Sequence, residues 1–351
     1  MKPFIAFLSA LALMMLAPPA ESQDALKVGD VVAARGARAL GVIHVPDGVD
    51  KGVDIPVSVV HGREPGRVLA LIAGTHGYEY AAILALPRVL EALDPARMKG
   101  SVILVHMANP QTFYDRRIYY SADGKNLNRV YPGKKDGTVS ERIADALTRE
   151  VIDQATHVID MHSGDGNESL RPYSYWMTGN DPAVDAQSKE MNLAFGLDHI
   201  VIDHSRPKDV KDSRYTSMTG ILRGKPSITA ESGGLGRSDE PSIEIHRRGA
   251  LSVIDHLGIM KAPSVRVTAP VWIDRSEVLT APATGVWEPV LDARDAVAAG
   301  SVVGRVKDAY GRVLGEVRAP FAGIMLYVVG TPPVTAGEPV AFVGRPQTDN
   351  R

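Results

Sequence analysis

Short runs of wholly apolar residues, each followed by a segment with apolar residues at helical spacing, constrain this chain more than any other feature. Residues 67–73 read RVLALIA and stop at Gly74; residues 101–107 read SVILVHM and stop before Asn109-Pro110. Residues 156–161, 199–203 and 227–230 have the same character, and 55–60 is a shorter β-rich run. Between them, helices are expected over 80–93, 140–155, 183–195 and 243–257, with Ser140 as the N-cap of the second. A strand that is apolar on both faces has to be covered on both faces. The expectation is therefore an α/β fold: a mainly parallel or mixed sheet with helices on either side.

The pattern changes after Lys261. Helical periodicity stops, and Pro, Gly and Val become frequent. The stretch 281–286 (APATGV) is echoed by 319–324 (APFAGI), and 297–300 (VAAG) by 334–337 (VTAG). Two similar β-rich halves point to a small pseudo-symmetric barrel or sandwich over 261–351, resembling lipoyl- or biotinyl-type domains. Such carriers present a lysine at a hairpin tip. The comparable turns here hold none, so a structural or pocket-shaping role is expected instead of a carrier role.

The first 22 residues are set apart. Met1-Lys2 is followed by an apolar run from Phe4 to Leu16 broken only by Ser9, then by Pro18-Pro19-Ala20-Glu21-Ser22. That order is the one found in secretory signals, and the run is short for a membrane span. The expected organisation is a signal peptide over 1–22, a catalytic domain over 23–260 and a β-rich domain over 261–351. A periplasmic or secreted location follows, with no membrane association after cleavage.

Composition narrows the chemistry. Lys+Arg number 39 and Asp+Glu 41, with no long run of one sign, so the basic stripe of a nucleic-acid binder is missing. Cysteine is absent, which excludes a thiol nucleophile, disulfides and sulfur-ligated metals. Any metal would be held by nitrogen and oxygen.

Residues suited to such chemistry stand where strands end, which is where open α/β sheets bind ligands. Gly74-Thr75-His76-Gly77-Tyr78-Glu79 follows the strand 67–73, and its spacing lets an imidazole and a carboxylate converge on one ion. Asp160-Met161-His162-Ser163-Gly164 ends a second strand, and Glu231-Ser232-Gly233-Gly234 a third. His76, Glu79 and His162 make a set of two nitrogens and one carboxylate, which leaves a coordination position for water, the arrangement of catalytic zinc. Asp160 is placed to orient a ligand histidine. Glu231 is the candidate proton acceptor. The loop opened by Asn109-Pro110 adds Arg116-Arg117, then DGKNLNR over 123–129, then Tyr131-Pro132-Gly133. It offers fixed positive charge for an oxyanion and for a substrate carboxylate.

HGYE, the Asn-Pro opening, DGKNLNR with YPG, the DMH segment and the ESGG segment occur in an order that resembles the succinylglutamate desuccinylase/aspartoacylase family of zinc deacylases, related to the zinc carboxypeptidases. The likeness covers roughly residues 30–345. It implies one Zn2+ per chain on His76, Glu79 and His162, and Glu231 as general acid/base. It implies Asn128 and Arg129 on the substrate carboxylate. One arginine of the 116–117 pair, Arg117 in the first instance, polarises the scissile carbonyl, and Arg116 is then a substrate-binding residue. The implied activity is hydrolysis of the amide bond of an N-acylated amino acid or a related small amide bearing a carboxylate. Carboxypeptidase or murein-peptide amidase activity with short peptide substrates is the alternative on the same site. A solute- or metal-binding protein that lost catalysis is the alternative from another class, and a retained Glu231 argues against it. His44, His61, His106, His157, His199, His204, His246 and His256 are expected to be packed or solvated. Ser205-Arg206-Pro207-Lys208 matches a nucleophile pattern that Pro207 spoils.

Overall fold

The computed structural model describes residues 24–178, 181–204 and 207–347. The expected export signal lies outside the described residues, as do Ser205 and Arg206.

A long mixed sheet carries the molecule. From one edge its order is Ala37–Val45, Val53–His61, Lys99–Val105, Glu64–Ala73, His157–His162, Ser227–Glu231, Tyr173–Met177, His199–Asp203 and Val271–Thr280, and it then runs on into C-terminal strands. Glu64–Ala73 is parallel to both of its neighbours, and Ser227–Glu231 is parallel to His157–His162. Tyr173–Met177 enters antiparallel beside Ser227–Glu231, and the edge strands Ala37–Val45 and Val53–His61 are antiparallel as well, so the sheet is mixed. Side chains alternate between two cores, as the pleat requires. Leu69, Leu71 and Ala73 pack with helices Tyr80–Ala92, Pro182–Phe195 and Glu240–His256. Ala70 and Ile72 pack on the opposite face with helix Val139–Leu147 and the N-terminal hairpin Ala25–Val28/Val31–Ala34. Helices cover both faces, as the uninterrupted apolar strands demanded.

The second expected helix needs correction. It ends at Leu147, and residues Thr148–Ile152 form a wider π turn closed by Asp153 N–H donating to the Thr148 carbonyl at 2.8 Å. Its N-cap is Thr138, not Ser140. Thr138 has the extended backbone a cap requires, and Glu141 reaches back to accept from its N–H at 3.0 Å. Ser140 instead sits in the first turn and donates to Asp123 Oδ1 at 3.0 Å, which ties the helix to the DGKNLNR loop.

The C-terminal region is a sandwich, with a core of Trp287, Val303, Val306, Met325, Val328 and Val343 between a four-stranded sheet and the end of the long one. The sequence echo has a structural counterpart. Ala281 exchanges hydrogen bonds with Gly337 and Glu338 at 2.8 Å each, while Ala319 does the same with Gly300 and Ser301 at 2.8 and 3.0 Å. Gly300 and Gly337 share positive φ angles of 78° and 85°, a conformation glycine adopts without strain. This region is joined to the long sheet by Val271–Ile273, which pairs in parallel with His199–Val201. Strand Gly323–Val329 pairs with Glu168–Leu170, which brings Tyr327 to the wall of the pocket described next.

Candidate active site

Three strand ends meet in one cavity of about 490 Å³, and they are the three that the motifs marked. His76 and Glu79 stand on the turn between Glu64–Ala73 and helix Tyr80–Ala92. That turn is held tightly: Ala108 and Asn109 N–H donate to the carbonyls of Ala73 and Gly74 at 2.8 and 2.9 Å, and Gly77 N–H donates to Arg117 O at 2.9 Å. A Cβ on Gly77 would run into the Thr112 carbonyl, so only glycine lets helix Pro110–Asp115 approach this closely. His162 ends its strand directly opposite Glu231 in the adjoining parallel strand, and Glu231 in turn faces Tyr173.

His76 Nδ1 lies 2.7 Å from Glu79 Oε1, and His162 Nδ1 lies 3.0 and 2.9 Å from Glu79 Oε1 and Oε2. One ligand atom from each of the three residues falls within 4.8 Å of the others, the only such group of metal-type side chains among the described residues. The outer nitrogens are engaged elsewhere. His76 Nε2 is 3.0 Å from Asn126 Oδ1, an oxygen that also accepts from Asn128 N–H, so the imidazole donates there and turns Nδ1 inward. His162 Nε2 is 2.9 Å from Asp160 Oδ1. Both Nδ1 atoms and an inward carboxylate thus face one point, with their orientation fixed from behind. This donor set fits a divalent cation of the zinc type.

The electrostatics match. Burial disfavours charge on all three groups, yet their attraction outweighs it. The Glu79 carboxylate moves His76 up to about 9, and Asp160 with Glu79 raises His162 well above its ordinary value; the two imidazoles bring Glu79 down to about 2. Burial, opposed by His162 but reinforced by Glu79, Glu168 and Asp160, raises Glu231 well above the usual carboxylate range. A carboxyl group held in that state is suited to accepting and returning a proton.

The other expected residues separate into two groups. Asn128 and Arg129 line the cavity. The Asn128 side chain is engaged, however: its Nδ2 lies 3.0 Å from His162 Nε2 and 3.5 Å from Asp160 Oδ2, and its Oδ1 accepts from Thr216 N and Oγ1 at 3.3 Å each. The exposed Arg129 donates to the Asn128 carbonyl at 2.6 Å and has no carboxylate in ion-pair range among the described residues. Arg116 and Arg117 are exposed and line a neighbouring cleft with Tyr78, sharing only Ile118 and Tyr119 with the main cavity. The structure does not bring either guanidinium to the cluster. None of the eight other histidines joins it. Asn126, Asp165, Glu168 and Tyr327 belong to the lining and were not singled out as site residues from sequence; Asn126 lies within DGKNLNR, where its place beside Asn128 was the available signal.

Fold and site together define an α/β protein whose parallel strand ends carry a His–Glu–His cluster built for a cation, with a half-buried glutamate beside it. The profile of the succinylglutamate desuccinylase/aspartoacylase catalytic domain matches residues 65–257, and the chain belongs to that family. An N-alpha-acetyl-L-2,4-diaminobutyric acid deacetylase of Halomonas elongata is 31% identical over 264 residues, covering 73% of this chain and 75% of that protein. A succinylglutamate desuccinylase/aspartoacylase of Rhodobacter sphaeroides superposes with a TM-score of 0.79 at 26% identity, over 89% of this chain and 96% of the other. The product-bound ectoine utilization protein EutE (DoeB) of Ruegeria pomeroyi gives 0.79 at 27% identity, over 88% and 95%.

Proposed function

We propose that this protein is an exported, zinc-dependent amide hydrolase that removes the acyl group from an N-acylated amino acid. The observation that carries the reading is the convergence of His76 Nδ1 and His162 Nδ1 on Glu79, with Glu231 opposite His162 in the next strand. Membership in a family of desuccinylases and aspartoacylases, and likeness to a deacetylase of an acetylated amino acid, support it.

His76, Glu79 and His162 would hold one zinc ion per chain; bound there, zinc polarises the amide carbonyl and lowers the pKa of an attacking water. Asn126 and Asp160 keep the two imidazoles in the ligating tautomer. Glu231 takes the proton from the attacking water and returns it to the departing amine, so that the leaving group departs neutral. Arg129, with no carboxylate in ion-pair range among the described residues, binds the carboxylate of the substrate. The apolar run before residue 22 directs the chain to the periplasm or beyond.

The test is a mass-spectrometric assay of the zinc-loaded protein against N-acyl amino acids and cell-wall peptides. Release of a carboxylic acid and a free amino acid supports the reading. Cleavage of peptides alone would reassign the site to a peptidase, and a zinc-loaded protein inert on every amide would reassign it to binding.

A further inference from the structure

A second cavity, of about 530 Å³, shares no lining residue with the active-site cavity. Part of its wall is apolar: Phe195 and Leu197 at the end of helix Pro182–Phe195, and Ile245 on helix Glu240–His256. The rest is cationic. Arg171 comes from just before strand Tyr173–Met177, Arg248 from helix Glu240–His256 and Arg294 from the C-terminal region. None of these arginines has a carboxylate in ion-pair range among the described residues. Asp198 is the one carboxylate of the lining. Its side chain is 65% exposed, so water screens it, and its Oδ1 accepts from His199 Nδ1 at 2.7 Å. That bond leaves His199 Nε2 as an acceptor for Arg171 Nη1 at 2.8 Å. Arg171 Nη2 donates to the Arg294 carbonyl at 3.3 Å, and Arg171 Nε is buried with no hydrogen-bond partner. A half-buried guanidinium is thus held by an imidazole and a main-chain carbonyl, which is costly unless an anion completes the set. The Arg294 backbone adds to this. Its φ of 87° is a conformation that a residue with a side chain adopts at a cost, and its N–H is tied to the Met325 carbonyl at 2.9 Å.

We propose that this cavity is a binding site for an organic phosphate, a phosphate monoester with an apolar body. Arg171, Arg248 and Arg294 take the phosphate group, and the wall of Phe195, Leu197 and Ile245 takes the apolar part. The planar fork of a guanidinium matches phosphate oxygens, and three forks against one screened carboxylate favour a dianion over a monocarboxylate. The apolar wall favours an ester over inorganic phosphate. The site is separate from the zinc-type cluster, so the proposal does not rest on the deacylase reading.

The probes are phenyl phosphate, inorganic phosphate and benzoate, each titrated by calorimetry into the zinc-loaded full-length protein. Phenyl phosphate should bind about tenfold or more tighter than either of the others. Arg171→Gln, Arg248→Gln and Arg294→Gln should each weaken it by about tenfold or more. Arg248 is an exposed helix residue, so Arg248→Gln keeps the test open should Arg171→Gln fail to fold, and it should leave amide hydrolysis unchanged. A metal ion also attracts phosphate, and the titration is therefore repeated on His76→Ala, where binding of phenyl phosphate should persist. Binding lost in His76→Ala and kept in the arginine variants would put the anion on the metal and overturn the proposal. Equal affinity for the three probes, or no binding of phenyl phosphate to the wild type, would overturn it as well.

Discussion

Glu231 and His162 occupy paired positions in adjacent parallel strands, so the proton-handling carboxylate and a metal-type imidazole are set side by side by backbone register. Tyr173 continues the row from the antiparallel strand on the other side of Glu231. Chemistry placed on three consecutive strands is more rigid than chemistry placed on loops, because moving one member means breaking a ladder. Only the His76–Glu79 pair comes from a turn, and that turn is tied to the next strand end through Ala108 and Asn109.

Glu231→Gln should leave the zinc content unchanged and lower kcat by about 10²–10⁴-fold, the usual contribution of a general acid/base. Metal analysis and steady-state kinetics on one preparation measure both halves of this. Full turnover by the variant would remove Glu231 from the reaction.

Asn126→Ala and Asp160→Asn should weaken zinc affinity by about 10–100-fold without removing a ligand, since each holds the outer nitrogen of one imidazole. Competition against a chromogenic chelator reads this directly. His76→Ala should lose the metal altogether. Unchanged affinity in Asn126→Ala would mean that the contact to His76 Nε2 does not orient the ligand.

Arg129→Ala should raise KM by about tenfold or more for substrates with a free α-carboxylate, the range expected on losing a charge-assisted hydrogen bond. It should change KM little for the corresponding α-carboxamides. Equal effects on the two series would assign Arg129 a structural role through its bond to the Asn128 carbonyl.

The two arginines of the neighbouring cleft stand away from the cluster. Arg116→Ala and Arg117→Ala should each lower kcat by less than about tenfold, well short of the roughly 10²–10³-fold typical of a lost oxyanion donor. Both are exposed, and neither change should alter thermal stability by more than about 0.5 kcal/mol. A kcat loss of about 10²–10³-fold in either variant would give that arginine the oxyanion role.

His246 gives the fold a pH dependence of definite sign. It is fully buried, edge-on to Phe195 with ring centroids 6.2 Å apart, and burial lowers it to about 4 from an ordinary 6.5. Between those values the unfolded chain binds the proton and the folded one does not. Its contribution is therefore intact above pH 6.5 and lost as the pH falls toward 4, by about 3 kcal/mol in all. Urea unfolding of wild type and His246→Gln at pH 7.5 and 4.5 measures it; the variant should show the smaller change. An equal change in both would place the acid sensitivity elsewhere.

Much of the fold was legible because the central strands are apolar on both faces, and few structures other than a covered parallel sheet accommodate 67–73 and 101–107. The cluster was legible because its members sit at strand ends in short recognisable segments. Tyr173–Met177 was not read as a strand. Its five residues, Tyr-Ser-Tyr-Trp-Met, are too few to show a period, and pairing with Ser227–Glu231 on one side and His199–Asp203 on the other makes them a strand. The placement of Tyr327 depends on pairing with Leu170 across more than a hundred residues, which local pattern cannot convey. Ser140 is a good cap by type, and Thr138 won because Glu141 stands three residues after it and completes the capping box. The arginine pair shows the limit from the other side. Residue type matched an oxyanion role, while position on the loop put both side chains in the neighbouring cleft.

The most direct measurement is anomalous diffraction at the zinc edge from crystals of the zinc-loaded protein. The account predicts one strong peak per chain, within coordinating distance of His76 Nδ1, His162 Nδ1 and the Glu79 carboxylate, with Glu231 beside it and not bound to it. A peak at any other set of side chains, or none at this cluster in protein that retains zinc, would contradict it.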